Sequence, residues 1–203
     1  MTVRVGLFAP LNDVAAATGT GQYTMSLLSA LADLQRVEDD SLPELDYVVL
    51  TSDTAADWVP PTIRDRMTIE ECRLASRGVG FESTFDDLGI DVVHFLVPVF
   101  FRTERATVFN PYDMRHLRYP EHLTAQELDR RRRFYPTGCE QETMVDRLSM
   151  AVKDQLVEAY DADPGTVYPV PMGPALSPGD REAKTVDATD SLPDSFALFP
   201  ANL

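Results

Sequence analysis

The run Asp91-Val92-Val93-His94-Phe95-Leu96-Val97 is apolar at neighbouring as well as alternate positions. Successive side chains of a strand point to opposite faces, so a strand of this composition has to be covered on both sides. That requirement places it at the centre of a parallel sheet flanked by helices. With this run at 91–96, further β-branched, apolar runs lie at about 3–8, 46–51, 67–70, 106–109, 144–148 and 166–170. Stretches of helical period separate them, at about 21–36, 80–88, 124–141 and 150–160. The first carries Met25, Leu27, Leu28, Leu31 and Leu34, a stripe suited to packing on a sheet. The alternation predicts an α/β fold with a doubly wound parallel sheet.

Composition narrows the partners. The 203 residues allow one sizeable core or two small ones. A formal charge of −15 supplies no broad basic surface for phosphate, so no nucleic-acid partner is expected. The one basic run, Arg130-Arg131-Arg132-Arg133, reads first as a solvated helix face and second as a seat for an acidic lipid head group or lipid-linked acceptor. No apolar run reaches membrane-spanning length, and Met1 leads almost directly into a core strand, which predicts a cytoplasmic protein. Cys72 and Cys139 lack metal-ligand spacing and read as reduced thiols packed as small apolar groups. His116 and His122 are too scattered to suggest a metal centre.

The segment Gly19-Thr20-Gly21-Gln22-Tyr23-Thr24 opens the first helix after the strand Val3–Phe8. A strand, loop and helix in this order gather unpaired backbone N–H groups and the positive end of a helix dipole. The segment is either an ordinary helix entry or a seat for phosphate or pyrophosphate. The dinucleotide fingerprint fits badly, because Ala9 to Thr18 intervene and Thr24 stands where the third glycine belongs.

In an open parallel sheet, ligands sit outside the carboxyl ends of the strands. This rule picks out His94 near the end of its strand, Asn110-Pro111-Tyr112-Asp113 after 106–109, and Ser52 and Asp53 after 46–51. With the glycine segment, these groups should share a rim. His94 is either a satisfied core histidine or an active-site donor. Asp113 either caps a turn or helix, or orients an acceptor hydroxyl and takes its proton. A loop carboxylate at a cleft is expected to carry little of the packing.

From Pro171 onward the composition changes, and the acidic stretch Asp180 to Asp194 reads as a linker. The final run Phe196-Ala197-Leu198-Phe199-Pro200-Ala201-Asn202-Leu203 has the pattern of the first strand of another domain. The expected organisation is a domain over 1–174, a linker over 175–195 and a fresh strand over 196–203, with a further domain beyond it.

Three segments together resemble the family 4 glycosyltransferases of GT-B architecture. Gly19-Thr20-Gly21-Gln22-Tyr23-Thr24 is similar to the family's G-x-G-x-Y-[ST] loop. Asn110-Pro111-Tyr112-Asp113-Met114-Arg115-His116-Leu117-Arg118-Tyr119-Pro120-Glu121 resembles N-P-H-D-L-x-H-L-x-Y-P-E, which an arginine-rich helix follows. Val167-Tyr168-Pro169-Val170-Pro171-Met172-Gly173 and the ending Phe199-Pro200-Ala201-Asn202-Leu203 resemble the exit into the second domain and that domain's first strand.

The resemblance implies a Rossmann-like, acceptor-binding N-terminal half of a two-domain enzyme. Such an enzyme moves a sugar from a nucleotide-sugar donor to an acceptor hydroxyl, with retention and without a cofactor or obligatory metal. The acceptor would be a glycan, a lipid-linked molecule or a small molecule, and peripheral contact with the inner face of the membrane goes with it. Gly19, Thr20 and Gly21 would face the donor diphosphate, Tyr112 and Asp113 would be the catalytic pair, and His94, Asn110 and His116 would bind substrate. One departure bears on mechanism: tyrosine stands at position 112 in place of the family's usual histidine, and a phenol with an ordinary pKa of about 10 is a poor proton acceptor. The alternatives are another GT-B enzyme, such as a nucleotide-sugar epimerase or phosphorylase, and a non-catalytic sugar-binding domain.

Overall fold

A computed structural model describes residues 2–11, 18–35, 43–52, 58–72, 81–140, 144–147, 149–171 and 173. The linker and fresh strand expected over 175–203 lie outside the described residues, as does Asp53.

Along the chain the elements are β1 (Val3–Phe8), α1 (Gly19–Leu34), β2 (Leu45–Thr51), α2 (Pro61–Arg64), β3 (Thr68–Glu71), α3 (Phe81–Leu88), β4 (Val92–Phe95), β5 (Ala106–Phe109), α4 (Arg115–Arg118), α5 (Ala125–Glu140), β6 (Met144–Arg147), α6 (Met150–Tyr160) and β7 (Val167–Pro169). A 3-10 turn at Pro120–His122 links α4 to α5. The strands form one seven-stranded sheet in the order β3-β2-β1-β4-β5-β6-β7, and every pairing is parallel. This is the doubly wound, Rossmann-like α/β arrangement that the alternation of periods predicts. Four-residue helices such as α2 and α4 carry less than two turns of period, too little for a pattern to show.

The chain winds outward from the centre in both directions. β1 leads to β2 and β3 on one side, whereas β4 leads to β5, β6 and β7 on the other. The order therefore reverses between β1 and β4, and a crevice opens beyond their carboxyl ends. Phe8, Phe95 and Phe109 stand in register at those ends and share one face of the sheet. Phe8 meets Phe95 edge to face at 5.5 Å, and Phe81 of α3 stacks on Phe101 at 4.6 Å. All three strand phenylalanines are fully buried, so the floor beneath the crevice is rigid and dry.

Helix α5 lies against this same face by virtue of one glycine. A Cβ at Gly138 would stand 2.7 Å from the Phe109 ring, so only glycine lets the helix approach. The buried stripe Arg131, Tyr135, Gly138 repeats at helical spacing. Cys72 is buried and Cys139 half-buried; both are free, and burial pushes each thiol up to about 12. They pack as small apolar groups, as the spacing suggests. Among the described residues, no helix is long and apolar enough to cross a membrane.

Candidate functional site

The turn after β5 organises the crevice rim. Tyr112 sits in the left-handed region at φ 59°, an uncommon conformation for a bulky residue. Local bonds hold it there. Its N–H donates to Asn110 Oδ1 at 3.2 Å, and its hydroxyl donates to the Leu96 carbonyl at 2.6 Å, just past the end of β4. The strained backbone thus aims the ring back across the crevice, and strain of this kind persists only where the surroundings over-determine it.

The opposite wall is the first turn of α1. Gly19, Thr20 and Gly21 form that turn; they are not a loop ahead of a helix beginning at Gly21, as the period suggests. Thr18 caps it, its Oγ1 accepting from Gly21 N at 3.4 Å, and Gln22 N bonds Thr18 O at 2.9 Å. Gly19 is exposed, and among the described residues no atom comes within 4 Å of where its Cβ would stand. The helix's positive end therefore faces the crevice. One turn further on, Tyr23 meets Tyr112 edge to face, with ring centroids 5.4 Å apart at 81°. Burial and the Tyr23 phenol raise the Tyr112 hydroxyl well above its ordinary value, against a bond with Thr24. Tyr23 is pushed up to about 12 by burial and by the Asp146 carboxylate, with Asn110 opposing. Both phenols stay protonated at neutral pH, and that of Tyr112 acts as a hydrogen-bond donor.

Asp113, next along the turn, is half exposed and is bonded from two helices. Its Oδ1 accepts from Arg115 N at 2.8 Å, which caps α4, and from Arg131 Nη1 at 2.6 Å. Arg131 is only 8% exposed. Burial of this guanidinium is outweighed by Tyr135 and Asp113, which hold its pKa above the ordinary value. Tyr135, fully buried beside Arg131, donates its hydroxyl to the Pro111 carbonyl. The expectation that Asp113 carries little packing is corrected here, because it neutralises a buried cation. The reading of Arg130–Arg133 as a solvated face holds for Arg130, Arg132 and Arg133, which are exposed, and fails for Arg131.

The remaining candidates divide. Asn110 is fully buried at the start of the turn, and among the described residues its Nδ2 meets no hydrogen-bond partner. His94 lies near the end of β4, in register with Leu7 and Val108, and its Nε2 is likewise shielded and without a hydrogen-bond partner among the described residues. Burial lowers His94 from 6.5 to about 4, so it is neutral at pH 7. His116 lies in the interior. It is 2% exposed, with Nε2 2.6 Å from the Tyr160 hydroxyl and its ring edge-on to Tyr135 at 4.6 Å. Burial and the neighbouring Arg131 lower it to about 4. Its contacts fasten α4 to α5 and α6. Ser52 follows β2 and donates its hydroxyl to the Leu11 carbonyl at 3.4 Å. The rim therefore unites Gly19, Thr20, Tyr23, Asn110, Tyr112 and Asp113, with His94 below and His116 behind.

Three contributors escape the sequence reading as site residues. Tyr23 lies within the glycine motif itself. Asp146 is a buried carboxylate near the end of β6 whose charge reaches both tyrosines. The strand-end rule that selected Asn110 also selects Asp146, which follows Met144 and Val145 near the end of β6. Arg131 is marked by its spacing to Tyr135 and Gly138, which the uniform arginine run hides. Among the described residues no group of three or more His, Cys, Asp or Glu could hold a metal ion.

No protein-family model matches this chain, and neither does any of the curated proteins.

Proposed function

We propose that this chain is the acceptor-side domain of a family 4-like glycosyltransferase, which moves a sugar from a nucleotide-sugar donor to an acceptor hydroxyl with retention. One observation carries the reading. The two segments most similar to the family, around Tyr23 and Tyr112, are far apart in sequence yet meet ring to ring at the sheet's reversal point. A ligand at that point would face the first turn of α1 on one side and Asp113 on the other. In this reading the Gly19 and Thr20 N–H groups face the donor diphosphate. Asp113 and the tyrosine pair orient the acceptor, and a donor-binding domain stabilises the departing charge. The exposed Arg130, Arg132 and Arg133 suit an acidic or lipid-linked acceptor at the cytoplasmic face of a membrane.

A non-catalytic sugar-binding domain is the second reading, favoured by the state of Tyr112. Its hydroxyl is committed to the Leu96 carbonyl and its pKa is raised, so it cannot stand in for a histidine that accepts a proton. Product analysis separates the readings. The chain joined to its donor-binding domain is incubated with UDP-, GDP- and ADP-sugars and a panel of glycan and polyol acceptors. Transfer is the expected result; epimerised donor, phosphorolysis, or binding without turnover would each select a rival.

A further inference from the structure

We infer that Arg131 is a positioning residue, which locks the Asp113 carboxylate so that only Oδ2 is presented at the rim, as a fixed acceptor for a ligand hydroxyl. Both bonds that Asp113 receives end on Oδ1, one from Arg115 N at 2.8 Å and one from Arg131 Nη1 at 2.6 Å. Oδ2 receives none from the described residues, and the Asp113 side chain remains 44% exposed. The two donors approach one oxygen from different elements, the backbone of α4 and the side chain of α5, so rotation of the carboxylate would break both.

The clamp is itself held. Arg131 sits near the Tyr135 hydroxyl at 3.5 Å, its guanidinium carbon lies 5.9 Å from that ring's centroid, and Tyr135 donates to the Pro111 carbonyl two residues before Asp113. The same helix is seated on β5 through Gly138 and Phe109. Helix α5 therefore fixes both the backbone of the turn and the direction of its carboxylate. A guanidinium donating to Oδ1 occupies that oxygen in a charge-assisted bond and leaves Oδ2 as the one carboxylate oxygen open to a ligand donor. Asp113 in this arrangement selects a neutral donor, such as a sugar or polyol hydroxyl, and disfavours an anionic group.

This inference rests on the proposed acceptor site for its ligand but not for its geometry, and the test keeps the two apart. In the 203-residue chain, hydrogen exchange at the Arg115 N–H reports whether Asp113 Oδ1 stays in place. Arg131→Gln should speed that exchange at least tenfold relative to amides elsewhere in the sheet, and Arg131→Lys, which retains the charge, should restore part of the protection. Unchanged exchange in Arg131→Gln overturns the clamp. In the two-domain enzyme, Arg131→Gln should raise KM for the acceptor by on the order of a hundredfold, the scale of a misplaced orienting group, with KM for the nucleotide sugar unchanged. A purely structural arginine would instead lower kcat through loss of folded enzyme and leave acceptor KM alone, which also overturns the inference. A wild-type enzyme that transfers no sugar defeats the proposed function, while the exchange measurement still decides the clamp.

Discussion

The ring of Tyr23 in the second turn of α1 stands edge-on to the ring of Tyr112 after β5, with centroids 5.4 Å apart. The contact spans the crevice where the sheet reverses, and it exists because Tyr112 adopts a left-handed backbone that turns its side chain toward the central strands. Its hydroxyl completes the span by bonding the Leu96 carbonyl.

That bond gives the first prediction. Tyr112→Phe keeps the ring contact and removes the donor to Leu96, leaving a carbonyl without its partner. The expected loss of stability is about 1 kcal/mol, measured by urea unfolding. Tyr112→His, the residue usual in the resembled family, should keep or raise transfer in the chain joined to the proposed donor-binding domain if this turn serves a transferase. Loss of transfer in that variant would count against the reading.

Gly138→Ala tests the seating of α5. The added methyl would meet the fully buried Phe109 ring at 2.7 Å. Overpacking of this kind costs about 1–3 kcal/mol, against a helix-propensity gain of about 1 kcal/mol. A net fall in stability is expected from equilibrium unfolding, and a stabilised variant would show that the helix can shift away without cost.

Acid should destabilise the fold through its buried histidines. His94 and His116 both fall from 6.5 to about 4 on folding, so the folded state favours their neutral forms. The unfolded chain takes up protons first as pH drops below about 6.5. Their contribution is full above that value and is lost progressively down to about pH 4. His116→Gln should flatten part of the decline in unfolding free energy between pH 7 and pH 5. An identical decline in the variant would show that other groups cause it.

Sequence carries most of this architecture and only part of the rim. The strands are legible because a central parallel strand needs apolar side chains on both faces, as at 91–96. The rule of carboxyl ends then brings Asn110, Tyr112 and Asp113 to the crevice without any knowledge of contacts. What pattern cannot show is which of four consecutive arginines turns inward. That depends on the rotation of α5 about its axis, set by the close approach of Gly138 and Tyr135 to Phe109 and by the bond from Tyr135 to the Pro111 carbonyl. His116 is misplaced for a related reason: α4 is too short to display a period, so the inward direction of its histidine appears only in three dimensions.

Sodium chloride should raise the melting temperature more than it does for a neutral domain of equal size. The charge of −15 repels itself, and added ions screen that repulsion. Chloride is preferred to sulfate, which also strengthens apolar burial. A flat or falling melting temperature between low and molar salt would contradict this.

The most direct test of the account is acceptor-dependent release of nucleotide from a nucleotide sugar, measured for the chain joined to the proposed donor-binding domain and for its Asp113→Asn variant at a temperature where both are folded. The substitution removes the carboxylate that accepts from Arg131 and leaves that buried cation without its charge partner, so a lower melting temperature is expected and thermal stability is recorded alongside turnover. If Asp113 orients the acceptor, wild-type enzyme transfers sugar and the variant is slower by on the order of a hundredfold while still folded. Normal turnover in a destabilised variant would reduce Asp113 to a helix cap and ion-pair partner, and no transfer by the wild type would contradict the glycosyltransferase reading itself.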